Sequence, residues 1–305
     1  MAQAMMDSMS PPNYETFGVG VPGGTLHVAR WGSGYRKVIA IHGITANHLS
    51  MHPLADQLGD DYTVIAPDLR GRAGSFEVPG PAGMARHADD VVAVMDHAGI
   101  DQAVVVGHSM GGFVAVVLAH RAPERVRTLV LVDGGIPLEL PPPLAEMSVE
   151  ELTRAIIGPS LDRLKMTFES ADAYIDFWRP HPALADSWND YVEAHYRYDI
   201  GGEPPEMRAR VNEEIILQDA GSELVQPDVS DALDGMNHRV VFLRAPLGLF
   251  NQEPPLYPHG SFDVWKQKLG LRDVLIEDSN HFTIMMTPRG AAKVADIVRE
   301  ELDRT

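Results

Sequence analysis

The chain has 305 residues, 45% of them hydrophobic, no cysteine and a formal charge of −18. That is enough to bury one large core with an insertion in it, and the missing cysteines exclude disulfides, a thiol nucleophile and cysteine-bound metals. The acidic surface argues against nucleic acid and anionic membranes as partners and favours a small neutral substrate.

The opening MAQAMMDSMSPP lacks the basic and apolar regions of a secretory leader, and no run reaches 18 uninterrupted apolar residues, so a cytoplasmic location is expected. Residues 1–13 are expected to be disordered. The stretch 14–32 carries PGG between β-formers and reads as an antiparallel hairpin. Then come KVIAIHG (37–43), YTVIAPD (62–68), AVVVGHS (103–109), TLVLVDG (128–134), RVVFLRA (239–245) and VLIED (274–278). These runs are rich in Val, Ile and Leu without strict alternation, the pattern of parallel strands covered on both faces. Helices are expected between and after them, over 47–58, 84–98, 111–121, 261–269 and 288–302. Strand–helix alternation gives an α/β fold with a mostly parallel sheet.

The alternation lapses from 136 to 237, a stretch too long for a plain loop. Eight of the chain's 21 aromatics fall between Phe168 and Tyr198. Ordinary amphipathic packing explains any one of them; together they suggest a helical cap over a pocket, with Trp178 and Trp188 as candidate substrate-binding residues. No H-E-x-x-H or clustered histidine spacing indicates a metal, and no cofactor motif is present.

The stretch VVVGHSMGG (104–112) places Ser109 between glycines where a strand runs into a helix. A serine held at such a sharp turn projects from the backbone and can act as a nucleophile, with Gly107 and Gly111 relieving the crowding around it. IHGITAN (41–47), PDLRGRAGS (67–75), GHSMGG (107–112) and DSNHF (278–282), in that order, resemble the serine-nucleophile branch of the α/β-hydrolase family. The resemblance implies a doubly wound, mostly parallel sheet of about eight strands, with core segments 14–135 and 238–305 and a cap, 136–237, inserted after the sixth strand. It also implies Ser109 as nucleophile, His281 as general base, and the backbone N–H groups of Ile44 and Met110 as the oxyanion hole. His42, Asp68, Arg70 and Gly71 are expected to fix local structure, and His108 to face away on its strand.

The triad acid departs from the family pattern. After the seventh strand, FLRAPLGLFNQE (242–253) has Gly248 where an acid is common, and Glu253 comes five residues late. Asp133, at the end of TLVLVDGG, resembles the placement in zearalenone lactonases and is the leading candidate, with Glu253 and Asp278 as alternatives. The expected activity is hydrolysis of a small carboxylic ester or lactone through an acyl-enzyme. A carbon–carbon bond hydrolase of the same fold and a ligand-binding sensor that keeps the triad are the alternatives.

Overall fold

The computed structural model describes residues 14–139, 146–224 and 227–304; the expectation of a disordered 1–13 lies outside them. β1 (Glu15–Val21) and β2 (Gly24–Trp31) form the hairpin read from the sequence. β3 (Arg36–Ile41), β4 (Tyr62–Pro67), β5 (Ala103–His108) and β6 (Val126–Val132) follow. After a minor two-stranded pair, β7 (Ile200–Gly201) and β8 (Arg208–Ala209), come β9 (Arg239–Arg244) and β10 (Arg272–Leu275). Eight strands make one sheet in the order β1-β2-β4-β3-β5-β6-β9-β10. The pairings of β1 with β2 and of β2 with β4 are antiparallel, and the others are parallel.

The central strands are apolar on both faces because both faces are covered. Ile39, Ile41, Val105 and Leu131 pack with α2 (Met84–His97) and α3 (Met110–Arg121), while Val38, Ala40, Val106 and Val132 pack with α1 (His52–Leu58) and the C-terminal helix Pro288–Asp303. α3 is buried from Met110 through Ala119, as its all-apolar sequence requires. From β3 the chain passes to β4 on one side and then to β5 on the other, so the strand order reverses at the carboxyl ends of β3 and β5. Open α/β sheets bind ligands at such a point.

Between β6 and β9 lie α4 (Val149–Leu164), α5 (Ala171–Trp178), α6 (Asp190–Asp199), α7 (Glu213–Leu224) and α8 (Pro227–Asp234). Their starts are signalled locally. Ser148 and Glu151 form a capping box on α4, and Ser170 and Asn189 accept N–H groups of α5 and α6. The reading of 136–237 as one insertion runs past what the packing shows. Val229, Ala232 and Leu233 of α8 belong to the core cluster of α2 and α3, so α8 covers the sheet. Sequence could not separate it, because an amphipathic helix looks the same whichever partner it packs on. α9 (Asp263–Leu269), the single turn α10 (Thr283–Met286) and α11 (Pro288–Asp303) complete the chain. Among the described residues no helix is long and apolar enough to cross a membrane.

Candidate active site

Ser109 stands between β5 and α3 with φ 54° and ψ −126°. An L-residue is strained there, and the strain aims the side chain away from both elements. Two contacts hold the turn. The Ser109 N–H donates to the Val132 carbonyl at 2.9 Å, and a Cβ at Gly107 would sit 2.3 Å from the Gly111 carbonyl, so only glycine fits there. Ser109 is partly exposed, whereas the residues around it are buried.

Asp133 ends the neighbouring strand, also at positive φ (47°). Its N–H donates to Leu243 at 2.7 Å, and its Oδ1 accepts from the Ala245 N–H at 3.2 Å, which fixes the carboxylate between the ends of β6 and β9. Oδ2 lies 2.7 Å from Nδ1 of His281, and both residues are buried. His281 comes from the loop after β10, and its carbonyl accepts from Nε2 of His108 at 2.8 Å. His108 is therefore turned toward the His281 loop and pins it to the residue preceding Ser109, a structural contact. Asn280 stiffens the same loop, its Oδ1 accepting the N–H groups of Phe282 and Thr283.

A Cβ at Gly43 would lie 3.2 Å from that of Ser109, so the Gly43–Ile44 peptide passes directly beside the serine. The oxygen of that peptide, on Gly43, accepts from His42 Nδ1 at 2.8 Å, while His42 Nε2 accepts from the Leu69 N–H at 3.0 Å. The two bonds require neutral His42 with its proton on Nδ1, and they fix the plane that carries the Ile44 N–H. Met110 opens α3, where a first-turn N–H has no partner within the helix.

The other expected residues divide clearly. Arg70 forks onto Asp90 at 2.8 Å through two nitrogens, both residues buried. Asp68 accepts four bonds: from the N–H and Nδ1 of His48, from the Gly74 N–H and from the Tyr198 hydroxyl. Burial works to raise its pKa, but His48 and these bonds outweigh that and hold it well below the usual range. His27, His48 and Asp68 bring ligand atoms within 4.8 Å of one another, yet both Asp68 oxygens are already doubly engaged. Glu253 is exposed, and Asp278 is exposed and paired with Arg289; neither is joined to His281 as Asp133 is.

Trp178 stacks on Tyr196 with ring centres 4.2 Å apart and lies under the Arg163 guanidinium at 5.1 Å. Trp188 bonds Glu193 through Nε1 at 3.3 Å and carries Arg179 over its ring. Their ring and hydrogen-bond contacts lie within the helical segment, which packs both residues onto the apolar cluster at the sheet, so an influence on substrate choice would run through the segment's shape. Sequence reasoning missed Arg72 and Asp219, two buried charges that pair at 2.5 Å. Arg72 stood in a motif already read as structural, and nothing local marks its distant partner.

The buried histidines make stability pH-dependent. Burial pushes His42 and His108 down to about 3 and His195 down to about 4. All three stay neutral in the fold, whereas the unfolded chain protonates them near 6.5. Their contribution is complete above about pH 6.5 and is lost as pH falls toward the folded values, at up to about 1.4 kcal/mol per pH unit for each. Denaturant midpoints should drop steeply between pH 7 and pH 5; a flat profile would contradict the neutral assignment.

Comparison with known proteins gives a consistent family. A model described as the alpha/beta hydrolase fold matches residues 37–200. The chain is similar to the lipase LipV of Mycobacterium tuberculosis, 39% identical over 115 residues, which are 37% of this chain and 43% of that protein. It is also similar to 2-(acetamidomethylene)succinate hydrolase of Mesorhizobium japonicum, 35% identical over 109 residues, 36% of this chain and 39% of the relative. The chain thus spans less than half the length of these curated relatives. Among solved structures, an E-2-(acetamidomethylene)succinate hydrolase superposes with a TM-score of 0.75 at 20% identity, covering 94% of this chain and 99% of that one. That likeness is one of fold.

Proposed function

The chain belongs to the alpha/beta hydrolase fold family, and from that premise we propose that it is a serine hydrolase cleaving a small carboxylic ester or lactone through an acyl-enzyme. The observation that carries the proposal is the 2.7 Å contact between His281 Nδ1 and Asp133 Oδ2, beside the strained turn at Ser109. With Nδ1–H donating to the carboxylate, His281 keeps its Nε2 lone pair for the Ser109 proton. Ser109 Oγ attacks the carbonyl carbon as that proton passes to Nε2. The resulting oxyanion is met by the N–H groups of Ile44 and Met110. The imidazolium, stabilised by Asp133, returns the proton to the leaving oxygen, and the cycle repeats with water as nucleophile.

The helices of the 136–237 segment before α8 act as a cap in this reading. They are tied to the core near the site: the Asn280 side chain donates to the Ala183 carbonyl at 2.9 Å, and the Asn47 side chain to His195 at 3.2 Å. The chain's charge of −18 favours uncharged substrates over polyanionic ones, and the reading places the enzyme in the cytoplasm, without cofactor or metal.

A fluorophosphonate probe should form one adduct, mapped by mass spectrometry to Ser109. A panel of short-chain chromogenic esters and lactones should then show multiple turnover. A protein that binds such ligands but stops after one turnover would be a sensor, and absence of both adduct and turnover would overturn the proposal.

A further inference from the structure

We propose that Arg72 is a positioning residue for the oxyanion hole, and that its ion pair with Asp219 makes the hole's geometry depend on the seating of α7. The inference rests on the serine hydrolase reading with Ile44 and Met110 as donors, and adds a residue and a coupling that the reading does not contain.

One buried guanidinium touches every part involved. Arg72 Nε donates to the Ile44 carbonyl at 2.9 Å and Nη1 to the Arg70 carbonyl at 2.8 Å. Nη2 reaches Asp219 at 2.5 Å and the Met110 sulfur at 3.8 Å. Thus a single planar fork holds the residue that carries one oxyanion donor and packs against the side chain of the other. Lysine cannot reproduce this, being a point charge with no fixed donor geometry.

α7 reaches the same place twice. Ile216 belongs to the small buried cluster, with Leu161 and Val211, against which Ile44 packs, and Asp219, one turn further along α7, meets Arg72. The other Asp219 oxygen accepts from the Gly83 N–H at 2.7 Å and from His87 Nε2 at 2.9 Å, so this carboxylate also caps α2 from across the molecule. Backbone pairing continues the dock: Arg72 bridges Val211, and the Ala73 N–H donates to Arg210 at 2.7 Å. A buried arginine without its partner is strongly unfavourable. The loop that sets Ile44 is therefore held in its present form by α7.

The test compares Arg72→Lys, Asp219→Asn and the double variant Arg72→Met/Asp219→Leu with the wild type. The double variant removes both charges of the pair together and so avoids the lone buried arginine or aspartate of a single variant, while the Gly83 N–H and His87 lose their acceptor as a local cost; it should fold even if a single one does not. A misaligned donor should lower kcat on an ester by about tenfold to a hundredfold, somewhat less than outright loss of a donor, with KM changed by less than about threefold. Phenylboronic acid, which forms a tetrahedral adduct at Ser109, should weaken by the same factor as kcat. Rescue by Arg72→Lys to wild-type kcat and boronate affinity would overturn the proposal. So would a folded double variant with wild-type kcat, or a failure of all three to fold, which would assign the pair to stability alone. A wild type with neither adduct nor turnover would instead remove the hydrolase reading, and this inference with it.

Discussion

Ser109→Ala should lose ester turnover by on the order of 10⁶ in kcat while its melting temperature stays nearly unchanged. What Ser109 gives the fold comes from its backbone, whose N–H donates to Val132, and alanine keeps that bond. A companion variant separates chemistry from strain. At φ 54° and ψ −126° an L-residue is held against its preference, so Ser109→Gly should be equally inactive yet more stable, by about 1 kcal/mol. A stability gain at the position where activity disappears is the mark of strain kept for function. Measurable turnover by a purified Ser109→Ala protein, with no adduct elsewhere, would remove the serine mechanism altogether.

The sequence was legible where local chemistry and topology agree. Five of the six runs of Val, Ile and Leu became inner strands because parallel strands buried on both faces need apolar side chains at nearly every position, while the sixth feeds the half-buried edge strand β10. The boundaries were less secure: VLIED reads as a strand over 274–278, while β10 ends at Leu275 and the rest turns toward His281. Ser109 could be found because its constraint is local, with glycines two residues away on either side. Asp133 was harder, since a bare aspartate at a strand end is common and its selection depends on His281, far along the chain. The Arg72–Asp219 pair was not legible at all. A buried ion pair between a loop and a distant helix leaves no periodicity or spacing in either segment.

Asp133→Asn should lower kcat by on the order of 10³ to 10⁴. The amide keeps the shape of the carboxylate and, like aspartate, tolerates positive φ, so the 47° backbone at this position is not disturbed. What changes is the proton. An amide N–H turned toward His281 Nδ1 puts the imidazole proton on Nε2, and that nitrogen then has no lone pair with which to take the Ser109 proton. An alanine at the same position would confuse this with backbone strain and with loss of the bond from Ala245. The two rival carboxylates should behave differently. Asp278 and Arg289 are 64% and 71% exposed in their side chains, and such pairs contribute little. Glu253 is exposed in the loop after β9. Asp278→Asn and Glu253→Gln should each cost less than about tenfold in kcat, or about 1.4 kcal/mol of transition-state stabilisation. A nearly normal Asp133→Asn enzyme beside an inactive Glu253→Gln enzyme would mean that the loop after β9 swings its glutamate onto His281 during turnover, and that the contact with Asp133 belongs to the resting protein alone.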